Sequence, residues 1–308
     1  MSSSLPGEPQ VSVAIVAISS ARCTAACLDA IEAQEGAAEF ETLVSYDPAF
    51  EGYDELAIRY PWVRFVRPAE GATPGQIASL AMRDARGEYI LMTEDHCIPA
   101  PNWVAEMAGA YREGMAAVGG RVEAFPGGGP FDVAFYLVDF FKYGNPLQSG
   151  ESETVTIANV LYRKSYLGQI EEVWRDGFLE PEVNAALRAR FGKLQLHAPS
   201  ETRMNRRVSL YDGCRERYAF GRLFGAARVQ HISWAMRFFF VLTSPLLPVI
   251  LFARMLRRAL LSAERFRGFC YALVPLVAML VIWSWGEWLG YVTGTRPADI
   301  SVAPERGG

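Results

Sequence analysis

The chain has 308 residues, 51% of them hydrophobic and 21% charged, with a net charge of −4. These proportions exclude a disordered or linker-type protein and leave enough chain for one large domain or two smaller ones, each with a core. The acidic balance argues against a nucleic-acid binder of the usual basic kind, although arginines crowd positions 188–267.

The segment Met1–Gln10 is polar and lacks the basic-then-apolar order of a secretory signal. Val11–Ile18 is a β-branched run of the kind buried in a parallel sheet. A helix is expected over Thr24–Gln34, with Cys27, Leu28 and Ile31 on one face, then a strand over Glu41–Tyr46. A short helix follows at Leu56–Tyr60 and a third strand at Trp62–Arg67. Thr73–Arg86 reads as a helix capped by Thr73, with Pro74 in its first turn and Gly87 ending it. Glu88–Thr93 is a fourth, mostly apolar strand. This alternation predicts an α/β fold with a Rossmann-like, mainly parallel sheet, whose ligands lie at the carboxyl ends of the strands. Attention therefore falls on Ile18-Ser-Ser20, Tyr46-Asp47 and Glu94-Asp95-His96.

Further on, a helix from Trp103 to Gly114 precedes a strand over Ala116–Glu123 and a Gly/Pro loop at 126–130. An aromatic-rich stretch, 131–143, leads to a strand over Thr154–Tyr162 and a helix over Phe178–Arg190 with Glu180 and Glu182 in its first turn. The cysteines, Cys23, Cys27, Cys97, Cys214 and Cys270, are odd in number and scattered, which fits a reducing compartment. Cys23 and Cys27 can share a helix face but have no nearby histidine, and His197 and His231 stand alone. The last third changes character. Residues 238–253 form an apolar run broken by Pro245 and Pro248, suited to a re-entrant segment or a span. Residues 269–292 are long enough to span a bilayer and end in Trp283, Trp285, Trp288 and Tyr291. Between them lie Arg254, Arg257, Arg258, Arg265 and Arg267, which favour a cytoplasmic location for that loop. A domain over 1–230 and a membrane-associated region over 231–308 are expected.

The sharpest local signal is Ile90-Leu-Met-Thr-Glu-Asp-His-Cys-Ile-Pro-Ala-Pro-Asn-Trp103. At a strand end, alternation puts Glu94 and His96 on the same side. A carboxylate with an imidazole suits Mn²⁺ or Mg²⁺ bridging a diphosphate. A charged, solvated loop is the other reading of the same residues.

That segment resembles the acidic strand-end motif of family 2 glycosyltransferases, which have the GT-A fold. The resemblance runs from Val11 to about Arg228 and includes Val11-Ser-Val-Ala-Ile, Cys27-Leu28 with Gln34, Ala85-Arg-Gly-Glu-Tyr-Ile90, Pro99–Trp103, Ile157-Ala-Asn-Val-Leu-Tyr-Arg163 and Arg217-Tyr-Ala-Phe-Gly-Arg222. Paired apolar segments after it recur in membrane-attached bacterial members. The resemblance implies an inverting transfer of a sugar from a nucleotide-diphosphate sugar to a lipid-linked or envelope glycan acceptor at the bacterial cytoplasmic membrane, with the catalytic domain facing the cytoplasm. It places Tyr46 against the base and Asp47 on the nucleoside. Glu94, Asp95 and His96 fall on the metal and diphosphate, and Glu180 or Glu182 takes the place of the base that deprotonates the acceptor hydroxyl. Departures are visible: Pro181 follows Glu180 where the family carries its second acid, Ala78-Ser79 replaces an Arg-Asn pair, and no histidine lies near Asn205. Arg203, Arg206, Arg207, Arg215 and Arg217 offer a diphosphate clamp or a contact with anionic lipid. A degenerate, non-catalytic relative that binds a glycan or a protein is the alternative. A nucleotidyltransferase is disfavoured, because Ile18-Ser-Ser-Ala21 is no Gly-rich phosphate loop.

Overall fold

The computed structural model describes residues 10–230, 232–295 and 297, so the readings of the segment before Gln10 and of His231 lie outside the described residues. The described chain divides into two compact units, one of residues 10–123 with 143–206, the other of residues 124–142 with the chain from 207 onward. The break at residue 230 does not coincide with this division, because the helix before it belongs with the apolar helices after it.

The first unit begins with β1 (Val11–Ala17), every residue of which is buried, as an apolar run on a central strand requires. Ser20 caps α1 (Ala21–Glu32), accepting from the Cys23 N–H at 3.1 Å, so this helix starts three residues earlier than periodicity alone indicates. β2 (Phe40–Tyr46), α2 (Tyr53–Arg59) and β3 (Val63–Val66) follow. The capping box of Thr73 and Gln76 opens α3 (Pro74–Asp84). Gly87 does not end that helix, which stops at Ala85; a Cβ on Gly87 would lie 2.7 Å from Ser12 N, so its small size admits β1. β4 (Tyr89–Glu94) is followed after two residues by β5 (Cys97–Pro99), then α4 (Trp103–Ala110) and β6 (Ala117–Ala124).

After β7 (Gly150–Ser152) and β8 (Val160–Arg163), the short helices α6 (Lys164–Gly168) and α7 (Glu171–Trp174) lead to α8 (Glu180–Phe191) and to β9 (Leu194–Met204), while the intervening α5 (Pro130–Phe140) belongs to the second unit. The strand order is β3-β2-β1-β4-β8-β6-β9-β5, with β7 on β9. Strands β3, β2, β1 and β4 are mutually parallel and form the Rossmann-like half; β8 joins β4 antiparallel and extends the sheet. The chain fills one side of β1 with β2 and β3, then crosses to the other side with β4. Ligands of such sheets bind at that reversal, outside the carboxyl ends of β1 and β4.

The second unit is helical. The aromatic-rich stretch forms α5 (Pro130–Phe140). After it come α9 (Leu210–Val229), α10 (Trp234–Thr243), a 3-10 turn at Ser244–Leu246, α11 (Leu247–Ala259), α12 (Ala263–Tyr271) and α13 (Leu273–Thr293). Pro245 and Pro248 sit in the first turns of the 3-10 segment and of α11, where a missing N–H is tolerated, so the apolar path Trp234–Ala259 stays helical throughout. Together with Leu273–Thr293 it is one of two helices among the described residues that are long and apolar enough to cross a membrane, by length and composition.

Candidate active site at the ends of β1 and β4

Asp95 organises the strand ends. Fully buried, it accepts the backbone N–H groups of Ser19 at 2.9 Å and Ser20 at 3.2 Å through one oxygen, while its own N–H donates to Val16 O. Its other oxygen lies 3.4 Å from His96 Nδ1, which also faces Ser19 Oγ at 3.0 Å. An Nδ1 held in this way leaves Nε2 to the opposite side, where Glu94 Oε2 is 3.5 Å away. Burial alone would lower the His96 pKa, but the Asp95 hydrogen bond and the nearby Glu94 charge outweigh it and raise the value, against an opposing Arg206. Asp95, expected among the diphosphate contacts, is held here to the Ser19-Ser20 turn and to His96. One of its oxygens is shared by two backbone donors in the core.

Glu94, His96 and Cys97 present donor atoms within 4.8 Å of one another. Oxygen and imidazole nitrogen match the donors a divalent cation of the Mn²⁺ class accepts, and the site is half-open at Glu94 and closed behind His96. Cys97 is the unforeseen member: its thiol, buried on β5, is pushed well up by burial and then by the Glu94 charge.

The other expected site residues divide. Asp47 follows β2 level with the end of β1, its N–H on Ala17 O at 2.9 Å; one carboxylate oxygen accepts the Ala49 N–H and fixes the turn. Tyr46 is a correction. It is buried in the core with its ring 4.1 Å from that of Tyr53 and stacked on it, and with its edge toward Phe65, so it offers no platform to a base.

Glu180 begins α8, and its Oε2 accepts the Ile157 N–H at 2.9 Å. The next residue, Ala158, holds the Thr93 hydroxyl through its carbonyl at 3.0 Å. Glu180 is thus tied to the segment that touches the residue before Glu94. Burial, then the Glu180 charge, pushes the hydroxyls of Tyr143 and Tyr162 well up, so both stay protonated beside it. Glu182 lies half-buried in the same first turn. The loop leading to this helix is fixed from α3: Phe178 N donates to Gly75 O at 2.9 Å, and Ser79 Oγ lies 2.6 Å from Trp174 O. Ser79, in place of the expected Arg-Asn pair, is thus a buried tie between elements.

The arginines also separate. Asn205 N donates to His96 O at 2.7 Å, which brings the next residue, the buried Arg206, to the strand ends, where its charge acts on His96. Neither a lipid nor a surface role fits that position. Arg203 is exposed and paired with Glu201 at 2.5 Å. In the second unit Arg217 is buried, paired with Asp139 and Glu216 and packed over the Phe135 ring at 4.4 Å, so it is neither a clamp nor a lipid contact. The Ser19 and Ser20 N–H groups and Arg206 are the elements that sequence reasoning underrated. The strand-end position signals the serines, whereas nothing local distinguishes Arg206 from its neighbours.

A search of curated protein sequences gave no match. Among solved structures, the mannosyltransferase PcManGT from Pyrobaculum calidifontis, in complex with GDP-Man and Mn²⁺, is similar over 93% of this chain and 87% of its own at 14% identity, with a TM-score of 0.57. TarS (residues 1–349) of S. aureus is similar over 92% and 90% at 14% identity, with a TM-score of 0.51. The chain spans 44% of the GalNAc-T7 chain, at 12% identity and a TM-score of 0.49. At these identities the likeness is one of fold, and it is the GT-A fold. The sequence model of glycosyl transferase family 2 matches residues 12–170, just over half of the chain, including both strand ends and the Glu94–His96 turn. The chain belongs to glycosyl transferase family 2, and its enzymatic class is glycosyltransferase.

Proposed function

We propose that this glycosyltransferase moves a sugar from a nucleotide-diphosphate sugar to a lipid-linked or envelope glycan acceptor, with inversion, using a divalent cation held by Glu94 and His96. The observation that carries the reading is the convergence at one sheet reversal of Glu94, His96 and the buried Arg206, with Asp47 at the neighbouring strand end. When bound, Mn²⁺ or Mg²⁺ supplies charge stabilisation to the departing diphosphate. Asp95 holds the Ser19-Ser20 turn and orients His96, so that Nε2 remains a lone-pair donor. Arg206, desolvated and always charged, faces the developing negative charge. Asp47 contacts the nucleoside through the oxygen that its turn does not use. The acceptor hydroxyl gives its proton to a carboxylate of the first turn of α8. Glu180, tied to the Ile157 N–H through Oε2, and Glu182 are the two candidates there, and separate Gln variants of each distinguish them.

Two apolar helices suggest membrane association. We assign the enzyme to the bacterial cytoplasmic membrane with the sheet unit facing the cytoplasm; the arginines between the helices favour that side. PcManGT was captured with GDP-Man and Mn²⁺ and GalNAc-T7 with UDP, GalNAc and Mn²⁺, the same ligand chemistry.

The test is a titration of detergent-purified protein with UDP, GDP and TDP, each with Mn²⁺ or with EDTA. Binding of one nucleotide, dependent on metal and lost in Glu94→Ala and His96→Ala, is expected. Folded protein that binds none of them would overturn the donor assignment.

A further inference from the structure

The helices of the second unit form layers of very different chemistry. α13 lies between a charged helix and an apolar one. Its contact with α9 is made by backbone. A Cβ on Gly221 would stand 2.3 Å from Trp283 O, and one on Gly225 the same distance from Glu287 O. Reciprocally, Gly286 and Gly290 of α13 would clash with Tyr218 O at 2.2 Å and Arg222 O at 2.5 Å. Four glycines, two on each helix and four residues apart, thus let the helices touch along their length. Arg228 donates to the Tyr291 hydroxyl (2.9 Å) in the last turn of α13, and Arg222 to Thr295 Oγ1 (3.1 Å) just past it.

α9 carries Asp212, Arg215, Glu216, Arg217, Arg222 and Arg228, and Arg215 is exposed. So many charges keep it out of hydrocarbon. A helix locked to it by backbone contact meets protein rather than lipid along that face. The burial agrees: 44% of the apolar window of Leu273–Thr293 is covered by protein, against 11% for Trp234–Ala259. The large apolar side chains that α13 leaves exposed are Leu273, Val274, Val277, Val281, Trp285 and Val292. The path α10–α11 packs on α13 through Phe240, whose ring stacks on Tyr291 at 5.2 Å, and through Arg237, which donates to Tyr291 O. It exposes Phe238, Phe239, Leu242, Leu246, Val249 and Ile250. Its far end carries Arg254 and Arg257, and the exposed Arg267 follows on α12.

We infer that the chain is seated on one leaflet. α10–α11 and the exposed apolar side chains of α13 lie in the boundary between headgroups and acyl chains of an anionic phospholipid bilayer, the arginines meet its phosphates, and no described helix crosses. The inference rests on the membrane association proposed above and replaces the expected span at 269–292.

The test uses the full chain with Glu264→Cys in a Cys214→Ser/Cys270→Ser background and a cleavable C-terminal tag. It is added to preformed sealed vesicles of phosphatidylcholine with phosphatidylglycerol. Flotation is read first. An impermeant maleimide and an external protease then report the 264 loop and the tag. Expected are co-flotation, complete labelling and complete cleavage without detergent, both equal to the values in detergent. Replacing Arg254, Arg257 and Arg267 by Gln should weaken vesicle binding roughly a hundredfold. A protected loop with an accessible tag would show two crossings, and an accessible loop with a protected tag one crossing; either overturns the inference while the membrane reading stands. Protein that stays in the aqueous phase overturns both.

Discussion

Replacing Asp95 separates positioning from ligation at the site. One of its oxygens accepts two backbone N–H groups, Ser19 at 2.9 Å and Ser20 at 3.2 Å, in a fully buried setting. A hydrogen bond to a charged group contributes about 1.5–3 kcal/mol, so Asp95→Ala, which removes both, costs about 3–6 kcal/mol. At about 2–4 °C per kcal/mol for a unit of this size, the midpoint should fall by roughly 6–24 °C. Asp95→Asn is the more informative change. Its amide oxygen can still accept both N–H groups, at neutral strength, for a loss of about 1–3 kcal/mol. Its NH₂ then faces His96 Nδ1 where an acceptor had been. That favours the tautomer with the proton on Nε2, the nitrogen directed at Glu94, and Mn²⁺ affinity should drop about 10–100-fold. Thermal or urea unfolding reads the first effect and Mn²⁺ titration the second. Unchanged stability with binding abolished would make Asp95 itself a ligand and refute the positioning argument.

Gly286→Ala should destabilise the helical unit by several kcal/mol, because its Cβ would meet the Tyr218 carbonyl at 2.2 Å with no flexible side chain to yield; limited proteolysis of the full chain reads this, and protection equal to wild type would contradict the packing. Asn159→Ala should cost about 3 kcal/mol or more in urea unfolding, since the side chain receives Trp103 Nε1 at 2.8 Å and donates to Arg121 O at 2.8 Å in the core. Burial would raise the Glu41 pKa, but Ser12, the Arg86 N–H and Arg64 outweigh it and lower the value below the usual 4.5. Glu201 is lowered likewise, against burial, by Arg203 and Arg121. A carboxylate depressed in the fold contributes stability that is fully present above about pH 4.5 and is lost as pH falls through the folded value. Stability against urea should therefore decline below that pH, and less steeply in Glu41→Gln. One of Glu180→Gln and Glu182→Gln should abolish transfer while nucleotide binding persists, whereas retained turnover in both would remove the base from the first turn of α8.

Much of the first unit could be read from sequence because its signals are local. The buried run of β1, the Thr73 capping and the strand ending at Glu94-Asp95-His96 are set by neighbours a few residues away. Those same residues pointed to the proposed metal pair, since alternation alone puts Glu94 and His96 on one side. Strand order is different in kind. It took the pairing of β1 with β4, more than seventy residues apart, to make the sheet reversal a site. It took the return of β9 against β5 to bring Asn205 and Arg206 to His96. No periodicity marks one arginine among many as buried, and none shows that the Tyr46 ring is taken by Tyr53. The apolar composition of 269–292 likewise stated a capacity to enter a membrane. Whether that helix is free to cross depends on what packs against it, and the glycines that bind it to charged α9 become a seam only when the two helices meet. Composition and local pattern determine the elements and the chemistry that each carries, because both act within a few residues. The tertiary structure decides which of those groups share a site and which are spent holding the fold, because burial and long-range pairing fix where each side chain ends.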